Sequence, residues 1–464
     1  MTKISIQPLV FCLLISLSWG YAVKRDVYAD RCSVKNGVRT FVPGENQEPP
    51  SSVSYGIVCD AGSTSTRLKI FRVNRTEADP CNPQIDLIHN ARFEPSLDEF
   101  VNDPEGLRAH VTLILSEAKK IVPAEQFPET NIHLLATAGL RFLTADDTTQ
   151  LFSIITEVFD SFKVRHSQGG EGVGILSGEE EGVYSWVAVN YLLGNFAYNR
   201  PDNETVGVLE MGGGSTQISF IPKDPLYDGE FQITINGRYY NLYAHSYLQF
   251  GIDAVVQWIA AVLIQLYPDS LAVGNPCMLK GTHQYGSHVV ITGDVKEIQV
   301  DNGPTVLLSG TSDPDKCKQV LRQILAPATG LKCNPKPCAI GSVYQPKVGD
   351  LKFHAIQGFR YAPLAFNALG PDQVLNLTHL EQEAFIHCRR NLTEAVEAGM
   401  DAKVASSNCM MGIYTPTLFT LSYGFPRNTT NIRVSADIAG KTIEWSLGVM
   451  VLDVYGNKMT RRRR

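Results

Sequence analysis

The apolar and polar positions of this chain follow two different periods. Short apolar runs predict buried strands, among them residues 55–59, 132–135 and 207–210. Segments with an apolar residue at every third or fourth position predict amphipathic helices, the clearest at residues 104–122 and about 148–162. Since strands and helices alternate along the chain, the pattern predicts an α/β protein.

Two of the predicted strands end in an acid and run into a cluster of small residues. Asp60 is followed by Ala-Gly-Ser-Thr-Ser-Thr, and Glu210 is followed by Met-Gly-Gly-Gly-Ser-Thr. Each cluster separates two apolar runs, which predicts a β-hairpin. In both copies a Gly and a Ser-Thr pair stand at the same distances after the acid. This internal repeat predicts a duplicated lobe, with both turns facing one cleft.

Length, composition and charge narrow the class of protein. The 464 residues are too many for one small core, which favours two lobes. The hydrophobic fraction of 44% and the charged fraction of 19% are those of an ordinary globular protein. The net charge of -6 argues against a nucleic-acid-binding protein, for which a basic surface is expected.

The first 22 residues have the pattern of a secretory signal peptide. Lys3 supplies the positive charge, residues 9–17 form the apolar stretch, and residues 20–22 provide the small residues expected at a cleavage site. An uncleaved membrane anchor is the alternative, although the apolar stretch is short for a span. The later apolar run at residues 450–454 is only of strand size, and the closing arginines 461–464 fit a solvated tail. We therefore expect a secreted protein with no stable membrane anchor.

The ten cysteines fit an exported chain. Cys12 lies in the signal peptide, and Cys59 lies in an apolar strand where a free thiol packs as a small hydrophobe. The remaining even set is typical of disulfides in secreted proteins: Cys32, Cys81, Cys277, Cys317, Cys333, Cys338, Cys388 and Cys409. A zinc site is the alternative, but the paired C-x-x-C spacing is missing. Five N-x-S/T triplets agree with secretion, at Asn74, Asn203, Asn376, Asn391 and Asn428.

The two small-residue clusters have the chemistry of phosphate-binding turns. Gly lets the backbone approach a ligand closely, and Ser and Thr add hydroxyl donors. An ordinary tight hairpin is the alternative for one cluster, but two matching copies favour phosphate binding. Asp60 and Glu210 suit the water shell of a divalent cation, although either acid alone fits a turn. Glu181 is the candidate base, whereas Glu179 and Glu180 fit the dipole at the start of a helix.

Four motifs in chain order resemble the apyrase regions of ecto-nucleoside triphosphate diphosphohydrolases: residues 60–64, 136–141, 177–186 with 190–194, and 212–217. Shorter matches at residues 245–248, 308–310 and 445–448 extend the resemblance over about residues 55–450. The resemblance implies an actin/hexokinase-type fold with two RNase H-like lobes and the active site in the cleft between them. It also implies that the C-terminal segment returns to the first lobe. The expected division is a signal peptide at 1–22, a lead-in at 23–52, a first lobe at 53–195 with about 430–456, a second lobe at 196–429, and a basic tail at 457–464.

The resemblance also implies roles for single residues. Glu181 matches the glutamate that activates the attacking water, which Ser215 and Gln217 hold. The implied phosphate-binding residues are Gly62, Ser63, Thr64, Ser65, Gly212, Gly213 and Gly214. The implied surroundings of a hydrated Ca²⁺ or Mg²⁺ are Asp60, Glu210 and Thr137. The candidates for stacking on the nucleobase, with ordinary packing as the alternative, are Phe359, Tyr361 and Tyr414.

The chain departs from the family in three respects. Most members have Asp where this chain has Glu210, a difference that bears on the choice of metal or on the rate. The cell-surface members have a basic residue where this chain has Ile252, which bears on base recognition. Those members also usually carry a membrane helix at each end.

Family pairs imply three disulfides, namely Cys277–Cys317, Cys333–Cys338 and Cys388–Cys409. Cys32 and Cys81 then remain, and pair by elimination. Gln249 stands near a position where the relatives have a further cysteine, so that bridge is expected to be absent.

The implied activity is the hydrolysis of extracellular nucleoside tri- and diphosphates to monophosphate and phosphate, by a monomer. One alternative keeps the fold but changes the substrate, as in a polyphosphatase or a sugar kinase. Another is a catalytically impaired nucleotide-binding or adhesion protein, suggested by Glu210. Glu181, Ser215 and Gln217 favour hydrolysis.

Overall fold

The computed structural model describes residues 32–35, 38–41, 52–62, 64–76, 79–137, 140, 143–166, 172–196, 204–235, 237–286, 289–292, 297–300, 305–455 and 459–461. The expected signal peptide, Ser63, and the side chains of Cys32 and Cys81 lie outside what is described.

The strands in chain order are β1 Cys32–Lys35, β2 Val38–Phe41, β3 Ser52–Ala61, β4 Thr66–Thr76, β5 Asp79–Phe93, β6 Asn131–Ala136, β7 Arg165–His166, β8 Val173–Ile175, β9 Gly207–Met211, β10 Ser215–Phe220, β11 Glu230–Ile235, β12 Arg238–Leu248, β13 Ala272–Asn275, β14 His283–Gly286, β15 Val289–Thr292, β16 Glu297–Val300, β17 Val306–Gly310, β18 Phe353–Gln357, β19 Ile432–Val434, β20 Asp437–Ile438, β21 Lys441–Thr442 and β22 Thr460–Arg461. The α-helices are α1 Pro104–Ile121, α2 Ala145–Phe162, α3 Gly178–Leu192, α4 Ile252–Leu266, α5 Pro314–Leu325, α6 Tyr361–Ala365, α7 Leu377–Cys388, α8 Leu392–Glu397, α9 Ala405–Thr417 and α10 Trp445–Val454.

Two large sheets repeat one arrangement. The first has the order β5-β4-β3-β6-β7, with β8 also paired to β6, and the second has the order β19-β18-β9-β10-β12-β11-β22. In the first sheet β3 pairs antiparallel with β4 and parallel with β6. In the second, β9 pairs antiparallel with β10 and parallel with β18. Each sheet therefore contains one of the two hairpins that the internal repeat predicted, and in each the hairpin lies beside a parallel strand.

Helices separate and cover the sheets. α1 and α2 pack on one face of the first sheet, with Leu107 in their core. α4, α5, α7 and α9 pack on one face of the second sheet, around residues such as Trp258. α3 and α10 lie in the core between the remaining two faces, where Val58 of β3, Trp186 of α3 and Leu242 of β12 share one cluster. α3 and α10 are buried on most sides because a sheet lies on either side of them.

Local sequence explains where the predicted helices begin. Asp103 accepts a hydrogen bond from the Gly106 backbone N–H, and Pro104 occupies the first turn, so α1 begins at the predicted residue 104. α2 begins three residues before the predicted start, because Thr144 caps it by accepting from the Asp147 backbone N–H.

The C-terminal segment differs from the expectation in three ways. The run at residues 450–454, expected to be only of strand size, lies within α10, since a short apolar run does not distinguish a strand from a buried helix. β19 pairs with β18, so the second sheet extends beyond residue 429. The backbone of Thr460 and Arg461 pairs with β11, so part of the expected solvated tail extends the second sheet.

The cysteine predictions are confirmed where the structure describes the side chains. Three disulfides are present, Cys277–Cys317, Cys333–Cys338 and Cys388–Cys409. Cys59 is a buried free thiol in β3, whereas the pairing of Cys32 with Cys81 stays a prediction. Among the described residues, no helix has the length and apolar character to cross a membrane.

Candidate active site

The turns of the two hairpins close in the same way. In the first, the backbone N–H of Gly62 donates to the carbonyl of Ser65 at 3.0 Å; in the second, that of Gly212 donates to the carbonyl of Ser215 at 2.9 Å. Thr64 is exposed at the first turn, and the second presents Gly213 at the surface. The two turns therefore share a closing hydrogen bond as well as a sequence pattern.

The start of α4 holds the second turn from behind. The backbone N–H groups of Ile252 and Asp253 donate to the carbonyls of Gly212 and Gly213, at 3.0 and 2.9 Å. Because a trans peptide directs its N–H opposite to its C=O, the N–H groups of Gly213 and Gly214 point away from α4. Gly251 allows this approach, since a Cβ there would collide with the carbonyl oxygens of the turn. The turn is thus positioned to offer backbone donors to an anion.

Two buried acids stand where β3 and β9 enter their turns. Asp60 is 8% exposed and Glu210 is 4% exposed. Asp60 accepts a hydrogen bond from Lys69 Nζ at 3.1 Å, and Glu210 accepts one from the Ser185 hydroxyl. Burial raises the pKa of Glu210 to about 8, and the negative charge of Glu181 adds to the rise. The acids predicted from separate parts of the chain therefore act on one another electrostatically.

Glu181 reaches the second hairpin through its neighbour Gly182. A Cβ on Gly182 would lie 2.7 Å from Ser219 Oγ and 3.2 Å from Gln217 Cβ, so only Gly lets α3 approach β10 this closely. Glu181 lies half-buried in the first turn of α3. The adjacent Glu180 forms a capping box with Ser177, which is the helix-start role expected of it.

Gln217 lies at the centre of a polar row on the second sheet. It pairs in register with Glu210 on β9 and with Ser246 on β12. Its Nε2 donates to Ser215 Oγ at 2.8 Å and to Ser246 Oγ at 3.1 Å. Ser215 and Gln217 share a face of β10 because alternate residues of a strand point the same way. The structure brings these two side chains together, as the family resemblance implied.

Thr137 lies beside the first acid. Its backbone N–H donates to the carbonyl of Ala61 at 3.0 Å, and its hydroxyl lies 3.5 Å from the same oxygen. This contact extends the pairing of β6 with β3 past Ala136, and it does so at Ala61, the residue that follows Asp60.

The three aromatic candidates lie in different environments. Phe359 is 1% exposed and packs against Phe419, with ring centroids 4.9 Å apart. Tyr414 is fully buried, and its hydroxyl donates to the carbonyl of Phe250 at 2.8 Å. Neither ring has a face for a nucleobase, so ordinary core packing accounts for both. Tyr361 is 52% exposed and stays a candidate.

Sequence reasoning missed four residues of this site. They are Lys69, Ser185, Ser246 and Glu444. Lys69 carried a usable signal, because it stands in the run Leu-Lys-Ile-Phe, whose positions are buried on both faces of β4. A charge in such a strand needs a buried partner. Ser185 and Ser246 lie within the family-like segments 177–186 and 245–248, but nothing marked these two positions in particular. Glu444 carried no signal, since its contact with Lys69 joins distant parts of the chain.

The two sheets carry matching hairpin turns, each entered by an acid, and a helix with a further acid lies between them. This is the two-lobed arrangement of the actin/hexokinase type. The chain belongs to the GDA1/CD39 (nucleoside phosphatase) family, whose sequence pattern matches residues 46–462. It is accordingly a nucleoside phosphate hydrolase of the apyrase type.

Individual relatives agree with this assignment. The chain is 30% identical to ectonucleoside triphosphate diphosphohydrolase 8 of Gallus gallus over 427 residues, covering 87% of this chain and 83% of the relative. It is 29% identical to ectonucleoside triphosphate diphosphohydrolase 2 of Homo sapiens over 434 residues, covering 88% and 84%. A crystal structure of nucleoside triphosphate hydrolases from Neospora caninum superposes with a TM-score of 0.65 at 17% identity, covering 87% of this chain and 94% of that one. That similarity shows the fold.

Proposed function

We propose that this chain is a secreted enzyme that hydrolyses nucleoside tri- and diphosphates to monophosphate and phosphate with a divalent cation, Ca²⁺ or Mg²⁺. The observation that carries the proposal is the cluster formed by two matching turns, each entered by a buried acid, Asp60 or Glu210, with Glu181 on the helix that packs against the second hairpin. Such a cluster fits a reaction that needs a base, a bound cation and donors for phosphate oxygens in one place.

The acids fit a cation held through water. Among the described residues, Asp60 accepts a side-chain hydrogen bond from Lys69 and Glu210 accepts one from Ser185, which leaves carboxylate oxygen surface for water molecules. Within the described residues, no group of three or more His, Cys, Asp or Glu side chains is arranged to hold a metal directly. When bound, the cation would neutralise charge that develops on the phosphate oxygens.

The protein's own groups would orient the attacking water. The two N–H bonds of the Gln217 amide are directed to Ser215 and Ser246, so its Oε1 is the atom that accepts from a water. Glu181, on the helix that contacts β10, would take a proton from that water as it attacks. The turn amides of Gly213 and Gly214 would donate to phosphate oxygens. Tyr361 is the side chain that we assign to the nucleobase.

Substitution of the base tests this proposal. Glu181→Gln keeps the size of the side chain but removes its basicity, so phosphate release from ATP and ADP should fall ~10²–10⁴-fold. Nucleotide binding, followed by calorimetry, should be retained. Glu180→Gln is the matched control, because Gln also completes a capping box.

Two results contradict the proposal. Near-normal turnover by Glu181→Gln would show that Glu181 is not the base. Activity that persists in EDTA would show that the reaction does not need a divalent cation. A wild-type protein that releases phosphate from linear polyphosphate but not from nucleotides would instead favour the polyphosphatase alternative.

A further inference from the structure

Lys69 is a buried cation placed among acids. It lies on β4, is 2% exposed, and is held between two carboxylates. Its Nζ is 3.1 Å from Asp60 Oδ2 and 2.8 Å from Glu444 Oε2. Lysine is rarely buried this completely, and when it is, its charge requires partners.

The two partners come from distant parts of the chain. Asp60 is the second-last residue of β3, in the hairpin that contains Lys69, whereas Glu444 immediately precedes α10. The ring of Trp445 lies 5.7 Å from Lys69 Nζ and covers the ammonium from one side. Lys69 therefore joins the acid of the first turn to the helix between the two sheets.

The charge of Lys69 reaches the second acid as well. The charges that act on Glu210 are those of Glu181 and Asp60, which are negative, and that of Lys69, which is positive. Within the described part of the chain, Lys69 thus supplies a fixed positive charge at the place where we propose the divalent cation binds.

We propose that Lys69 is a positioning residue that weakens divalent-cation binding in the absence of nucleotide. This inference rests on the proposed function. Lys69 occupies one oxygen of Asp60, and its positive charge repels a second cation. The negative charge of nucleotide phosphates offsets the positive charges of Lys69 and of the cation. The site therefore favours a cation that arrives bound to nucleotide. Even at the dielectric constant of water, a unit charge about 5 Å from a divalent ion changes its binding by ~10-fold or more.

The test measures Mn²⁺ binding to nucleotide-free protein, using the electron paramagnetic resonance signal of free Mn²⁺. Lys69→Met removes the positive charge and should tighten binding by at least ~10-fold. Glu444→Gln removes a negative charge beyond Lys69 and should weaken binding ~3-fold or more. The double variant removes one charge of each sign and should bind within ~3-fold of wild type.

The opposite signs separate charge from structural damage. A variant that merely disturbs the site lowers affinity in every case, so weaker or unchanged Mn²⁺ binding by Lys69→Met overturns the inference. If Lys69→Met does not fold, Glu444→Gln decides alone, because it retains the lysine and replaces the acid with an isostere. Unchanged or tighter binding by Glu444→Gln then overturns the inference.

Asp60→Asn distinguishes this inference from the proposed function. One outcome is that Asp60→Asn abolishes Mn²⁺ binding while Lys69→Met and Glu444→Gln leave it unchanged. That outcome overturns only the role of Lys69. Wild-type Mn²⁺ binding that Asp60→Asn leaves unchanged removes Asp60 from the proposed cation site, and with it both proposals about that site.

Discussion

Replacement of Glu210 by Gln is expected to stabilise the cation-free protein at alkaline pH. Burial is the main cause that raises the pKa of Glu210 from its ordinary 4.5 to about 8. In the pH range between these values the folded protein holds a proton that the unfolded chain has released. The free energy of unfolding therefore falls as pH rises from about 4.5 to about 8. At about 1.4 kcal/mol per pKa unit, the loss reaches up to about 4 kcal/mol at pH 8.

Glu210→Gln removes this titration while retaining the shape of the side chain and an oxygen that accepts from Ser185. Wild type and variant should unfold with nearly equal free energies at about pH 4.5, and the variant should be more stable by up to about 4 kcal/mol at pH 8. Urea unfolding in EDTA, followed by tryptophan fluorescence at both pH values, measures the difference. Glu397→Gln on exposed α8 makes the same chemical change away from the site and is the control.

A divalent cation should narrow the difference in unfolding free energy between the two proteins at pH 8. Ca²⁺ or Mg²⁺ favours the ionised form of Glu210, so it should raise the unfolding free energy of wild type at pH 8 more than that of Glu210→Gln. The reasoning about burial is refuted if the difference in unfolding free energy is the same at both pH values.

Two further substitutions test the geometry of the site. Gly182→Ala should lower kcat ~10²-fold with little change in helix content, because the added Cβ would collide with Gln217 and Ser219 and move α3, with Glu181, away from β10. Unimpaired kcat, with Gly370→Ala as control, would contradict this. Tyr361→Ala should raise KM for nucleotides ~10-fold while leaving kcat nearly unchanged, because stacking on the base is lost. An equal rise in KM in the exposed control Tyr239→Ala would argue against a specific role.

The sequence predicted the two hairpins and the start of α1, because residues that are close together in the chain determine them. The strand-turn-strand patterns at Asp60 and Glu210 rest on nearby Gly residues and alternating apolar positions, and both hairpins formed. α1 was predicted closely because Asp103 and Pro104 set its start within a few residues.

Contacts between distant segments were beyond such reasoning. Glu444 meets Lys69 only because α10 packs between the sheets, and no period in the sequence encodes that position. Burial of Phe359 and Tyr414 likewise depends on packing in the second lobe, since aromatic side chains suit a core and a ligand pocket equally well. Family resemblance implied the chemical roles, which stay predictions, but did not distinguish exposed rings from buried ones.

The position of α10 means that one part of the core is completed only late in synthesis, because α10 follows the second lobe in the chain. β3 and α3 are made before the second lobe, whereas the helix that covers them is made after it. Gly448 of α10 packs against the backbone of Tyr184 on α3, and Met450 fills the space left by Gly56 on β3. A nascent chain therefore carries the uncovered apolar faces of β3 and α3 throughout synthesis of the second lobe, which is when chaperones bind such surfaces. The core that α10 shares with β3 and α3 can be completed only after residue 454 has been synthesised.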